Sequence, residues 1–340
     1  MLSNNKNNYL LINWLRITFI LLFSMIIIGG LTRLTNSGLS ITEWELFKGI
    51  LPPLNQKSWD QYFELYKLIP QYQISNPLMS LDEFKTIFYW EYIHRILGRI
   101  IGIFSLLFLI YFQFIKKLSF KSLSPYYLVF FLILFQGYMG WYMVKSGLVN
   151  DVTVSHYRLS VHLLTAIVIL SIIFWQILNL RNNKLKNFFV FDIVRFPYIF
   201  LFFLLLIQVV LGAFVSGLDA GRIYQSWPLM GTGYFPDDFD FNHLQDLLNF
   251  DIHSLVQFYH RNLAYIISIY IVLIALKIFL SKDKSLYKPI TIVLVILTFQ
   301  ILLGVYTLLS NLNIVLASAH QIFSIILILG SLNLYYSTIK

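Results

Sequence analysis

Glu91-Tyr92-Ile93-His94-Arg95 opens one long apolar segment, and Gln257-Phe258-Tyr259-His260-Arg261 opens another with the same His-Arg pair in the same place. Ionisable residues at the mouth of an apolar helix are costly to keep in a membrane, so each pair marks a functional site by default. The copies differ in charge at one position, Glu91 against Gln257. That difference points to one scaffold used twice for two tasks.

Outward from these segments the chain is apolar almost throughout. Hydrophobic residues make up 58% of the sequence, aromatic residues 18% and charged residues only 12%. The mean hydropathy is +0.71, far from the balance of a water-soluble globular protein. Windows of roughly 20 apolar residues, the length that crosses a bilayer core, fall at 14–31, 92–114, 125–144, 157–178, 197–216, 258–280, 289–309 and 314–336. The expected fold is an all-α integral membrane protein with eight transmembrane helices.

Charge orients the chain. With a cytoplasmic N-terminus, the tails and the loops after the second, fourth and sixth spans carry Lys6, Lys116, Lys117, Lys121, Arg181, Lys184, Lys186, Arg195, Lys277, Lys282, Lys284, Lys288 and Lys340, opposed by Asp192 and Asp283. The other side has two long connections, 32–90 and 217–257, which hold Asp219, Asp237, Asp238, Asp240, Asp246 and Asp251. The positive-inside rule then places both termini in the cytoplasm. The net charge of +9 reads as topology and does not argue for a nucleic-acid partner. Met1–Asn13 runs straight into a full-length span without a cleavage signature, so a retained first helix is expected. The sequence has no cysteine, which removes disulfides, thiolate metal sites, iron–sulfur clusters and covalent haem attachment.

An internal repeat explains eight spans as four plus four. Phe135-Gln136, Gly140 and Tyr142 in the third span recur as Phe299-Gln300, Gly304 and Tyr306 in the seventh. Gly29-Gly30 leading to Ser37-Gly38-Leu39 recurs as Gly212 leading to Ser216-Gly217-Leu218. Two tandem four-helix bundles are expected, residues 1–190 with the long outer loop and residues 191–340. The glycines also suit close helix packing alone, whereas buried Gln136 and Gln300 each need a hydrogen-bond partner.

The spans set four histidines in one layer. His94, His162, His260 and His320 lie a few residues in from the outer ends of the even-numbered spans, within about 10 Å of the boundary at roughly 1.5 Å per residue. A lone histidine on an apolar helix is usually a packing residue; a matched set, two per repeat, suits axial ligation of haem iron by facing helices. The economical pairing is His94 with His162 and His260 with His320, although depth alone leaves a cross-half pair such as His94 with His320 open. Arg95 and Arg261 lie at the rim, where a guanidinium suits a haem propionate and where a snorkelling arginine also sits. Glu91, three residues before His94, projects from the same helix face. It reads either as a proton-handling carboxylate or as a partner that orients His94 or Arg95. His156, His243 and His253 sit at the membrane edge or in the acidic loop and stay outside the site.

Gly29-Gly30-Leu31-Thr32-Arg33-Leu34-Thr35 with Ser37-Gly38-Leu39-Ser40, the Glu91–Arg95 run, Gly217-Leu218-Asp219-Ala220-Gly221 with Trp227-Pro228 and Met230-Gly231, and the Gln257–Arg261 run together closely resemble haem A synthase, in the branch shared by mitochondria and many alphaproteobacteria. The likeness covers nearly the whole chain. The combination is specific where each short piece alone is not. Some bacterial members carry a cysteine pair in the outer loops; this chain has none, which excludes a thiol role.

The resemblance implies the chemistry. Haem A synthase oxidises the C8 methyl group of haem O to a formyl group, giving the haem A of aa3-type cytochrome oxidases, with oxygen from water and electrons leaving through haem b. Carried onto this chain, His94 and His162 flank the substrate porphyrin in the first half and His260 and His320 ligate haem b in the second. Arg95 and Arg261 meet propionates, and Glu91 matches the family's essential glutamate, which abstracts a proton or steers water. The chain is then expected in the bacterial inner membrane with its haem sites toward the periplasm. Membrane lipid, haem O synthase, oxidase assembly factors and a second copy of the chain are the candidate partners. Bis-histidine sites also serve a dihaem b-type electron carrier or a haem-handling assembly factor; the contrast of Glu91 with Gln257 favours the enzyme.

Overall fold

The computed structural model describes residues 5–43, 48–149, 151–190, 192–240 and 244–339. His243 and Lys340, singled out above, lie outside the described residues. Among the described residues the architecture is helical and holds no strand: α1 Asn5–Leu34, α2 Gln56–Lys67, α3 Leu81–Ile110, α4 Phe120–Gly147, α5 His156–Arg181, α6 Phe196–Gly217, α7 His253–Ser281, α8 Tyr287–Leu309 and α9 Ile314–Thr338. All but α2 belong to the eight segments long and apolar enough to cross a bilayer, so the chain is a multi-pass membrane protein. It divides into two compact units, Met1–Ile173 and Phe174–Lys340.

The second span starts earlier than its hydropathy suggests. Ser80 and Glu83 form a reciprocal capping box that starts α3 at Leu81, satisfying backbone donors that the first helical turn leaves unpaired. His94 therefore sits thirteen residues into the helix. The extra turns carry Phe84, Ile87 and Phe88, which belong to a folded cap built from the long outer loop.

That cap has its own core. Trp59, Phe63 and Tyr66 form the buried stripe of α2, at the spacing that puts residues on one helix face. They cluster with Leu39, Ile41, Phe84, Ile87 and Phe88. Tyr66 is fully buried; its hydroxyl donates to Gln71 Oε1 at 3.1 Å and accepts from Asn76 Nδ2 at 2.8 Å. Gln71 Nε2 in turn donates to the Asn36 carbonyl at 3.1 Å. Burial holds the Tyr66 hydroxyl above its ordinary pKa. The cap thus fixes residues 36–41 against the start of α3. Below it, α3 packs against α1 and α4.

In the second unit α6 packs against α7 and α9, and α8 against α7 and α9. The carboxyl end of α9 is tied down by two cations. Lys186 Nζ donates to the Tyr336 carbonyl at 3.0 Å and to that of Ile339, and Arg195 Nε donates to the Thr338 carbonyl at 3.2 Å. These groups satisfy terminal carbonyls and match the negative end of the helix dipole.

Candidate functional site

Each site histidine rests on a glycine of the neighbouring helix. Gly29 of α1 receives His94 of α3, Gly140 of α4 receives His162 of α5, Gly212 of α6 receives His260 of α7, and Gly304 of α8 receives His320 of α9. A Cβ built at these glycines would stand 2.8, 3.4, 3.1 and 2.8 Å from the respective ring Cε1 atoms. The rings occupy the space a side chain would take. These glycines, noticed in the sequence and there equally explained by helix packing, are cradles for histidine. All four histidines keep some accessible surface inside the helical frame.

The structure brings the two histidines of the second unit together. The His260 and His320 rings lie 6.5 Å apart between centroids and nearly perpendicular, at 80°. Two imidazoles bonded to one metal from opposite sides at about 2.0–2.1 Å place their centres roughly 6 Å apart, so this spacing fits an iron held between them. In the first unit His94 of α3 and His162 of α5 are seated in the same way on Gly29 and Gly140. Among the described residues no group of three or more His, Asp or Glu side chains converges as a protein-built metal cage does. The donor set is a pair of imidazoles per unit, which matches a metal whose remaining ligands come with the cofactor, as in haem.

Glutamines support these rings. Gln136 Nε2 donates to the His162 carbonyl at 2.8 Å. Gln208 Nε2 donates to the His260 carbonyl at 2.9 Å and stands 3.1 Å from His260 Nδ1. The Gln300 carbonyl lies 3.1 Å from His320 Nδ1, and its side-chain amide 3.4 Å from His320 Nε2. Gln208 escaped the sequence reading, although its signal is there: a glutamine one turn before the seating glycine recurs in α4, α6 and α8.

The rim differs between the units as the sequence suggested. Glu91 is 3% exposed and fully engaged. Its Oε2 accepts from Ser40 Oγ at 2.7 Å and Ile41 N at 2.9 Å, and its Oε1 from Arg95 Nε at 2.9 Å and Nη2 at 2.5 Å. Arg95 Nη2 also donates to the Ile41 carbonyl at 2.8 Å. In the second unit Gln257 Nε2 and Arg261 Nη2 both donate to the Tyr224 carbonyl, at 2.8 and 2.9 Å. Each arginine is thus anchored to the segment that follows the preceding membrane span, α1 for Arg95 and α6 for Arg261, which fixes its position at the rim and leaves fewer N–H groups for an anionic ligand. Ile41 and Tyr224 were not legible as site residues, because main-chain partners leave no side-chain signature. His156 begins α5, buried, with its ring 4.0 Å from that of Tyr157; His253 begins α7. Neither forms part of the glycine-seated set.

Histidines seated on glycines between membrane-spanning helices define the class: a multi-pass membrane protein with two imidazole donors in each unit. The comparisons narrow it. The chain belongs to the cytochrome oxidase assembly protein family, whose model matches residues 12–332. It is 45% identical over 333 residues to the haem A synthase of Pelagibacter ubique, covering 95% of this chain and 96% of that protein. It is 42% identical over 324 residues to that of Rickettsia canadensis and 40% over 327 to that of Rickettsia felis, covering in each case 94% of this chain and 95% of the relative. The family resemblance drawn from the motifs is therefore borne out.

Proposed function

We propose that this chain is an oxidoreductase that makes haem A. It takes haem O as substrate between His94 and His162 and oxidises the C8 methyl group to a formyl group, with water supplying the oxygen. The observation that carries this reading is the recurrence of a glycine-seated histidine pair in both units, with a carboxylate on the helix turn before the first pair and an amide before the second. The near full-length relationship to haem A synthases supports it. Residues 1–190 then form the substrate half and residues 191–340 the haem b half of a duplicated fold. Both termini lie in the cytoplasm and the sites face the periplasmic side of the inner membrane.

His94 and His162 orient the porphyrin through its iron, and Arg95 meets its propionates from a position fixed by the Ile41 carbonyl. In the second half His260, His320 and Arg261 hold haem b, which when bound supplies an electron path to an external acceptor. Glu91 performs two tasks. As an acceptor for Ser40 and Ile41 it closes the 36–41 segment over the mouth of the first site. To take up a proton it must exchange a donor at Oε2, the oxygen that lies outside the ion pair with Arg95.

Membranes containing this protein and a haem O synthase test the reading. Their extracted pigments, separated and identified by mass, are expected to include haem A. Haem O accumulating without haem A sinks the enzyme assignment, and haem b alone points to an electron carrier.

A further inference from the structure

The rims of the two units differ in how their arginines are spent. Arg95 is neutralised: Nε and Nη2 hold the Glu91 carboxylate, Nη2 also serves the Ile41 carbonyl, and Nη1 reaches the Glu43 carbonyl at 3.4 Å. Arg261 has an amide, Gln257, in place of that carboxylate, and among the described residues it donates only to the carbonyls of Tyr224 and Leu229. The charge of Arg261 is therefore uncompensated, and that of Arg95 is not. A different arginine restores the balance in the first unit. Arg158 lies on α5 four residues before His162, so the two share a helix face, with Arg158 about 6 Å nearer the start of the helix. Both meet the same stretch of α4. His162 is seated at Gly140, while the Arg158 guanidinium lies 3.7 Å from the centre of the Tyr142 ring and donates to the Tyr142 carbonyl at 2.7 Å. The Tyr142 ring is backed in turn by that of Tyr138, stacked at 6.2 Å and 2°. The second unit repeats the seat and the tyrosine, as Gly304 and Tyr306, but the residue four before His320 is Leu316.

We propose that Arg158 binds the porphyrin carboxylates of the first unit, supplying there the uncompensated charge that Arg261 supplies in the second. The inference rests on the haem reading above and deepens it by naming how the acid groups of the substrate are recognised. A charge in the end turns of a membrane helix is costly without a counter-ion, and among the described residues Arg158 donates only to the Tyr142 main chain. The stack on Tyr142 and that single bond fix the guanidinium plane, so less freedom is lost when a carboxylate docks. Most of its N–H groups then remain for an anion, and their planar fork suits a carboxylate. Arg95 enters the same contact with its charge already balanced by Glu91. Holding the propionates from α5 lets the substrate bind without breaking the Glu91–Arg95 pair.

The test compares acid with ester. Full-length protein made without a haem O synthase is purified in detergent and incubated with graded haem O or haem O dimethyl ester, and the bound pigment is quantified by mass. The unsubstituted protein is expected to bind haem O more tightly than the ester by about 10- to 100-fold, the worth of hydrogen bonds to a charged group. Leucine holds the equivalent place in the second unit, so Arg158→Leu suits the fold. It should lower haem O affinity about 10-fold or more and leave that of the ester unchanged. Arg158→Lys should keep most of the preference for the acid, and His94→Ala should weaken both pigments alike. An Arg158→Leu protein that retains the full preference, or that weakens acid and ester equally, overturns the proposal. So does one that keeps the preference but loses phosphatidylglycerol held by the unsubstituted protein in mixed-lipid nanodiscs, which would assign the arginine to a lipid phosphate. Haem O binding that His94→Ala leaves intact sinks the haem assignment of the first unit and the proposal with it, and that variant alone separates the two failures.

Discussion

Arg95 grips the Glu91 carboxylate with two nitrogens, at 2.5 and 2.9 Å, one helical turn along α3 and with both side chains largely buried. Breaking a buried ion pair by removing one charge costs about 3–5 kcal/mol. Glu91→Gln keeps the size, and its Oε1 can still receive Ser40 and Ile41, but its amide N–H groups then face the guanidinium. We expect haem A to vanish from the extracted pigments, haem b to remain, and the purified protein to unfold at lower temperature. Ser40→Ala removes one donor and keeps the ion pair, so a milder loss of about 1 kcal/mol is expected. Unchanged haem A in Glu91→Gln would mean that the carboxylate is a structural tie only.

The glycine seats predict a graded series. Gly29→Ala and Gly304→Ala place a methyl group 2.8 Å from a histidine carbon, whereas Gly140→Ala places it at 3.4 Å. The first two should each lose most of the haem of their own unit in a pyridine haemochrome assay, and Gly140→Ala should retain most of it. Gly102→Ala is the control, because nothing lies within 4 Å of its Cβ position. Removing a helical glycine there should stabilise by about 0.5–1 kcal/mol at most. A pigment loss in Gly102→Ala equal to that in Gly29→Ala would show that helix propensity, and not the histidine seat, is being measured.

Why the glycines were visible in the sequence and their purpose was not is a matter of what spacing encodes. Hydropathy and charge report burial in lipid and side of the membrane, so all eight spans could be placed from composition. The paired histidines were legible because ionisable residues are rare in such helices. Glycine spacing reports only close approach, which His94 on Gly29 and any plain helix crossing satisfy alike. The early start of α3 escaped because its first turns face a protein cap and carry polar residues such as Asp82 and Glu83, which a hydropathy window reads as loop. The anchoring of Arg95 on Ile41 and of Arg261 on Tyr224 uses carbonyls, which every residue has.

Tyr66 offers a test of the cap by pH. Its hydroxyl bridges Gln71 and Asn76 inside the cluster, and burial raises its pKa above the ordinary 10.0. The neutral form is favoured in the folded cap. Its contribution is therefore fully present below about pH 10 and is lost as pH rises through the higher folded-state value. Tyr66→Phe leaves Gln71 and Asn76 short of a partner, at a cost of about 1–3 kcal/mol, and should abolish this part of the alkaline transition. Proteolysis of residues 35–80 as a function of pH reads both effects, and identical alkaline onset in the two proteins would assign the transition to other groups.

The cations at the end of α9 lead to the last expectation. Lys186 serves the carbonyls of Tyr336 and Ile339 and lies 4.2 Å from the centre of the Tyr336 ring, while Arg195 serves Thr338. Lys186→Met preserves the apolar stem and deletes the charge, so it isolates the helix-terminal bonds and the ring contact, together about 1–2 kcal/mol. The effect should stay local. His320 lies sixteen residues before Tyr336, roughly 24 Å along the helix, so haem b content should match that of the unsubstituted protein. Amide exchange over residues 332–339 should accelerate roughly 5- to 30-fold at the same time. Accelerated exchange that reaches His320 together with haem loss would show that the α9 terminus and the haem site open as one cooperative unit despite their distance along the helix.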